Sequence, residues 1–145
     1  MTSNSRPEYR LAVQVLLRRG NQILLLERQN TGFEDGNYGL PAGHIEFGET
    51  VKAAAIREAK EEVGVELKES DLQVIGSMHR IDNKTYVDFF LVCHRWDGEI
   101  YNSEPEKCSD LMWADLDALP TNMVRYIEIG LSLGTESAWF HQLES

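Results

Sequence analysis

From Tyr9 onward the chain alternates. Tyr9, Leu11, Val13, Val15 and Leu17 fall on one side of an extended backbone, and Arg10, Gln14 and Arg18 fall on the other. A period of two with this split predicts a strand with one wetter face. Gly20-Asn21 is a turn signal, and residues 22–28 (QILLLER) form a more continuously apolar run, so a hairpin is expected. Residues 29–39 are polar and rich in glycine, which predicts a loop. Short extended pieces are expected around 38–40 and 44–46, flanking Pro41-Ala42-Gly43.

A helical pattern covers 51–63, with Thr50 as N-cap and Gly64 in place for a left-handed C-cap. Ala53 follows Thr50 by three residues where a full capping box would have Glu. Residues 72–80 and 85–96 read as two strands joined at Asp82-Asn83-Lys84. In the second, Val87, Phe89 and Leu91 face one side, and Tyr86, Phe90 and Val92 the other. Apolar content on both faces predicts a central strand covered on each side. An acidic loop runs from Asp97 to Asp110, followed by a short strand at 111–114. A second helix is expected at 121–133, with Val124, Ile127 and Leu131 as its apolar stripe. In the tail, 135–145, Trp139 and Phe140 would pack back onto the domain or onto a partner. Residues 1–8, polar and closed by Pro7, read as a flexible start, leaving 9–145 as one domain. This order of strands and helices predicts an α/β (α+β) sandwich with a mixed sheet.

Composition narrows the function. The chain has 145 residues, 42% of them hydrophobic, enough for one domain with a real core. With 24 acids against 14 Lys plus Arg the net charge is −10, which argues against a nucleic-acid polymer as ligand. A small phosphorylated substrate remains open if metal ions offset the repulsion. Cys93 and Cys108 show neither zinc spacing nor a disulfide framework, which fits a reduced cytoplasmic setting. There is no signal-like or membrane-spanning apolar run.

The helix carries the chemistry. Glu58, Glu61 and Glu62 fall within about 100° of arc, so three carboxylates share one face. Glu58 and Glu62 are like-charge neighbours at i,i+4, which costs an isolated helix roughly 0.2–0.5 kcal/mol. Neither has a Lys or Arg three or four residues away; Glu61 has Arg57. Ile56, Ala59 and Val63 lie beside the acidic arc and Ala53 and Lys60 nearly opposite, so the acids border the buried side. Ala54 and Ala55 are small enough to leave room for a ligand. A solvated acidic face is the competing reading. Clustered carboxylates suit hard cations, Mg²⁺ first and Mn²⁺ as well. Such ions polarise phosphoryl oxygens and lower the pKa of a bound water. The residues alone point to metal-assisted phosphoryl or nucleotidyl hydrolysis.

The spacing is more specific. Gly43, five residues, Glu49, seven residues and then REAKEEVGV (57–65) closely resembles the Nudix box, the signature of MutT-type pyrophosphohydrolases. Every polar position of that pattern is filled, and Ala59 takes an aliphatic slot with a small residue. The resemblance extends to LPAG before the box and EPEKCSDLMW after it. It implies a mixed sheet between helices and hydrolysis of a nucleoside diphosphate linked to another moiety. A nucleoside triphosphate, oxidised or not, is the first choice, cleaved to monophosphate and pyrophosphate by metal-activated water. Nucleotide sugars, ADP-ribose, dinucleotides and a non-catalytic nucleotide-binding role are the alternatives; an isopentenyl diphosphate isomerase-type enzyme is disfavoured for want of a cysteine–glutamate pair.

By matched position the resemblance makes Glu58, Glu61 and Glu62 metal ligands, with the Gly43 carbonyl as a further donor and Arg57 and Glu49 bracing the loop against the helix. Glu104, with Glu106 second, corresponds to a loop carboxylate that serves as metal ligand or general base. Arg28 matches a phosphate-contacting position. His79 and His44 are candidates for the cleft wall, and Tyr86 and Phe33 for stacking on a base, with packing as the competing role. Trp113 reads as core. The resemblance allows a monomer or a homodimer.

Overall fold

The computed structural model describes residues 6–144. The expected flexible start falls mainly on residues outside that range; residues 6–9 are exposed and carry no helix or strand. Strand β1 (Arg10–Arg19) and strand β2 (Gln22–Arg28) meet at the Gly20-Asn21 turn, where Arg18 pairs with Ile23 and Arg19 with Gln22. They then part. β1 continues beside β4 (Ala42–His44), while β2 pairs with β3 (Tyr38–Gly39) and β7 (Cys108–Asp115). On its other side β1 runs parallel to β6 (Thr85–Cys93), which pairs antiparallel with β5 (Leu72–Ile81). β8 (Trp139–Glu144) closes the edge, parallel to β5. The result is one mixed sheet, splayed where β1 and β2 separate.

Helices cover both faces. Helix α1 (Val51–Val63) lays Ala54, Ala55, Ala59 and Val63 on one core with Val13, Val15, Leu17 and Leu91. Helix α2 (Arg125–Ser132) lays Ile127 and Leu131 on a second core with Leu16, Ile23, Phe90 and Val92. The β1 pattern therefore needs correcting. Its supposed wetter face is buried, with Ala12, Gln14 and Leu16 all beneath the surface, because β1 is central and has a helix layer on each side. Arg18 reaches out of that face to Thr135 and Glu136.

Other boundaries moved for identifiable reasons. Gly43 lies inside β4, opposite Val13, instead of in a turn between extended pieces. The second helix starts at Arg125 because residues 122–124 are held extended: Tyr38 N–H donates to Asn122 O and Val124 N–H to Tyr38 O. β7 extends beyond 111–114 because β2 supplies a ladder along its length. In the tail Trp139 packs back, over Gly76 and 5.0 Å from the Phe90 ring, while Phe140 stays exposed. Trp113 is half-buried, stacked on Trp96 at 6.1 Å with the Arg19 guanidinium 4.1 Å from its ring centre. Cys93 and Cys108 are free and buried. Among the described residues no helix is long and apolar enough to cross a membrane.

Candidate active site

Helix α1 is set by its ends. The Thr50 side chain accepts from Ala53 N–H at 3.1 Å, and Gly64 adopts φ 74° to close the C-terminus. The last carbonyls of a helix lack intrahelical partners. Here the loop after β6 supplies them: Tyr101 N–H donates to Val63 O, Ser103 N–H to Glu62 O and Ser103 Oγ to Glu61 O. That docking carries Glu104 to the acidic end of α1. Asn102 holds it there, accepting from Glu104 N–H at 3.2 Å and donating to Cys108 O at 2.7 Å.

Beneath the helix, β4 comes close enough for two backbone contacts. Ala42 N–H donates to the Glu62 carboxylate at 2.8 Å. Gly43 lies against Glu58, whose carboxylate fills the space a Cβ would need. Arg57 ties the turn before the helix to the helix itself. It donates to Glu49 at 2.7 and 2.9 Å, to His44 O at 3.0 Å and to Glu58 at 2.6 Å, with Glu46 at 3.2 Å and Glu61 at 3.4 Å. Arg57 therefore relieves Glu58 as a sequence neighbour, which counting at i±3 and i±4 missed. Its guanidinium holds Glu49 at a pKa of about 2, from an ordinary 4.5.

A cavity of about 870 Å³ opens where β1 and β2 splay apart. Its wall brings together Gly43, Glu58, Glu61, Glu62 and Glu104 with Arg28, Phe33, His44 and Tyr86. Glu49 and Arg57 stand behind this wall and brace it. Glu106 is exposed and lies off the wall. His79 is a correction. It faces away, its ring 5.6 Å from Tyr9, and the next residue, Arg80, lines the cavity because side chains alternate along a strand. Phe33 and Tyr86 each carry a guanidinium on the ring, Arg28 at 5.4 Å and Arg80 at 4.1 Å, which opposes a free stacking platform. Arg28 is also held by Phe33 O and Thr31 Oγ1. Ala54 and Ala55 leave no ligand space; they are fully buried in the core.

The pattern reading missed Gln14, Arg80, Asp88 and Tyr126, all on the cavity wall. A usable signal existed for one of them: Asp88 is a polar residue inside a strand read as covered on each side, whereas Gln14 sat on the face of β1 read as wetter.

The acids crowd one another. Burial pushes the Glu62 carboxyl well above its usual range, and nearby Glu58 and Glu104 add to the push. Glu58 is raised too, by burial first, against the pull of Arg57. Among the described residues no three His, Cys, Asp or Glu side chains close into a ready-made metal cage. The donor set nevertheless fits a hard cation. It is all oxygen, and Gly43 leaves room for backbone and carboxylate to approach together. Mg²⁺ characteristically takes one or two carboxylates and completes its shell with water and substrate phosphate, so a full protein cage is not needed.

Fold and site thus define an α+β domain with an acid-walled cleft beside its loop–helix turn. A NUDIX domain model matches residues 8–129. The chain is 36% identical over 111 residues to the NAD-capped RNA hydrolase NudC of Pseudomonas aeruginosa, covering 73% of this chain and 36% of that protein. It is 34% identical over 111 residues to the ADP-ribose pyrophosphatase of Methanocaldococcus jannaschii, covering 76% and 64%. With the 8-oxo-dGTP diphosphatase of Escherichia coli identity is 30% over 112 residues, covering 76% and 86%. A crystal structure of a MutT Nudix hydrolase from Burkholderia pseudomallei superposes with a TM-score of 0.81 at 29% identity, over 88% of this chain and 99% of that one. The chain belongs to the Nudix family. It spans about a third of the length of its NudC relatives.

Proposed function

We propose that this chain hydrolyses a pyrophosphate linkage in a nucleoside diphosphate joined to another moiety, a nucleoside triphosphate being the first substrate, cleaved to monophosphate and pyrophosphate. The observation that carries this is the shared wall of Glu58, Glu61, Glu62 and Glu104 with Arg28 in one cavity. The relatives' names support the bond type, since ADP-ribose, 8-oxo-dGTP and NAD each contain a phosphoanhydride linkage.

Glu58, Glu61, Glu62 and the Gly43 carbonyl would hold Mg²⁺ or Mn²⁺. Bound there, the ion would neutralise phosphate charge and make a water more acidic. Glu104 would accept the proton of an attacking water as its oxygen bonds to phosphorus and the bond to the leaving phosphate group breaks. Arg28 binds a phosphate oxygen, and the Arg57–Glu49 pair keeps Glu58 in place. The substrate is a small molecule in the cytoplasm, met by a monomer or homodimer. ADP-ribose is the second reading, favoured by the archaeal relative.

The test is a phosphate and pyrophosphate release screen over nucleoside triphosphates, nucleotide sugars, ADP-ribose and dinucleotides in Mg²⁺ and in Mn²⁺. Glu62→Gln and Glu104→Gln run beside the wild type. Turnover is expected to fall at least about 10²-fold in each, the scale of a positioned acid–base group. A wild type that turns over nothing, or a Glu62→Gln protein as active as wild type, ends the proposal.

A further inference from the structure

The same cavity has a second polar cluster, which the acid site does not use. Among the described residues the buried polar or charged ones are Gln14, Arg80 and Asp88, at 3%, 8% and 0% exposure, and all three line the cavity. Asp88 accepts from Arg80 Nε at 3.0 Å and Nη2 at 3.4 Å, and from Gln14 Nε2 at 3.4 Å. The Arg80 guanidinium lies between two rings, 4.1 Å from the Tyr86 centroid and 3.8 Å from that of Tyr126. A buried ion pair is weak evidence for stability, since well-packed apolar residues of similar volume often do as well. Its consequence here is orientation. A carboxylate only accepts, so Asp88 fixes the nitrogen end of the Gln14 amide towards itself. Tyr126 lines the same cavity, close to Gln14. With the nitrogen end of the amide turned to Asp88, Gln14 offers its carbonyl oxygen and Tyr126 its O–H: an acceptor beside a donor.

That pair suits a particular ligand. Arg80 and Asp88 cancel in charge, so the cluster calls for a neutral polar group. The guanidinium occupies ring faces of both tyrosines, so hydrogen bonding outweighs stacking on them. A nucleobase edge sets donors beside acceptors and is read by just such side chains. We propose that Gln14 and Tyr126 form the specificity-determining subsite for the nucleobase of the substrate, with Arg80 and Asp88 as positioning residues. This rests on the nucleotide reading above.

Calorimetric titration of AMP, GMP, CMP and UMP against ribose 5-phosphate tests it without requiring turnover. In the wild type at least one nucleotide should bind about tenfold or more tighter than ribose 5-phosphate. Gln14→Leu should remove about five- to tenfold of that preference, the worth of one neutral hydrogen bond. Gln14→Met serves if the leucine variant does not fold. Asp88→Asn lets the amide turn over and should change which nucleotide is preferred; uniform weakening of every ligand would reduce Asp88 to a structural role and overturn its positioning part. The subsite itself is overturned if wild type shows no preference for nucleotides, or if folded Gln14→Leu and Gln14→Met keep it. Should the hydrolysis screen fail while the preference and its loss are seen, the hydrolase reading falls and the subsite stands.

Discussion

Glycine at 43 is required by its neighbour's carboxylate. Gly43 has an ordinary strand conformation, so its value lies in space: Glu58 occupies the volume of a Cβ. The atoms in the way belong to the end of a flexible side chain, so Gly43→Ala should cost the fold little, within about 1 kcal/mol in a urea titration. It should cost turnover far more. Glu58 must swing away from β4, and displacement of a reacting group by about 1 Å is worth on the order of 10²-fold. A Gly43→Ala protein with wild-type rate would show that the place of Glu58 is not critical. At this scale the motif named the residue, and the coordinates supplied the reason.

At the scale of elements, α1 and its flanking turn are one unit joined by Arg57. The Glu49 carboxylate is held at about 2 in the fold and returns to the ordinary 4.5 when unfolded. A folded pKa below the unfolded one stabilises the protein above about 4.5, and that stabilisation drains away as pH falls towards 2. Urea midpoints measured from pH 7 down to pH 3 should therefore fall less steeply for Glu49→Gln than for wild type. Identical slopes would mean that the brace carries no linkage. The same unit shows why α1 was legible and α2 only partly so. Thr50, Gly64 and the apolar spacing are local signals, whereas the start of α2 is delayed by backbone pairing with Tyr38, some 85 residues earlier.

Across the whole molecule, the edge strand β8 and the cavity are separate concerns. Trp139 covers Gly76 and Phe90 and donates to Gly134 O at 3.1 Å, while no residue of β8 lines the cavity. Trp139→Ala should cost about 2–3 kcal/mol, below the range for a fully buried tryptophan because this one is half-exposed. At a temperature where the variant is folded, its rate should stay within about twofold of wild type. A rate loss as large as that of Glu104→Gln would tie the edge strand to the site.

Local order carried the first half of the result. Alternation along 9–18, apolar extended runs at 22–28 and 85–96, helical spacing with caps at 50 and 64, and fixed intervals between Gly43, Glu49 and Arg57 through Glu62 can all be read along the chain, because each depends on neighbours within a few residues. What they could not supply is which strand lies beside which. Gln14 looked solvent-facing until β6 and a covering α2 buried it, and Asp88 had no role until β5 brought Arg80 beside it. Glu104 stood ahead of Glu106 only by resemblance until the end of α1 captured the loop through Ser103 and placed Glu104, and not Glu106, on the cavity wall. These contacts join residues 8 to 74 positions apart, and only the packed sheet between its two helices brings them together.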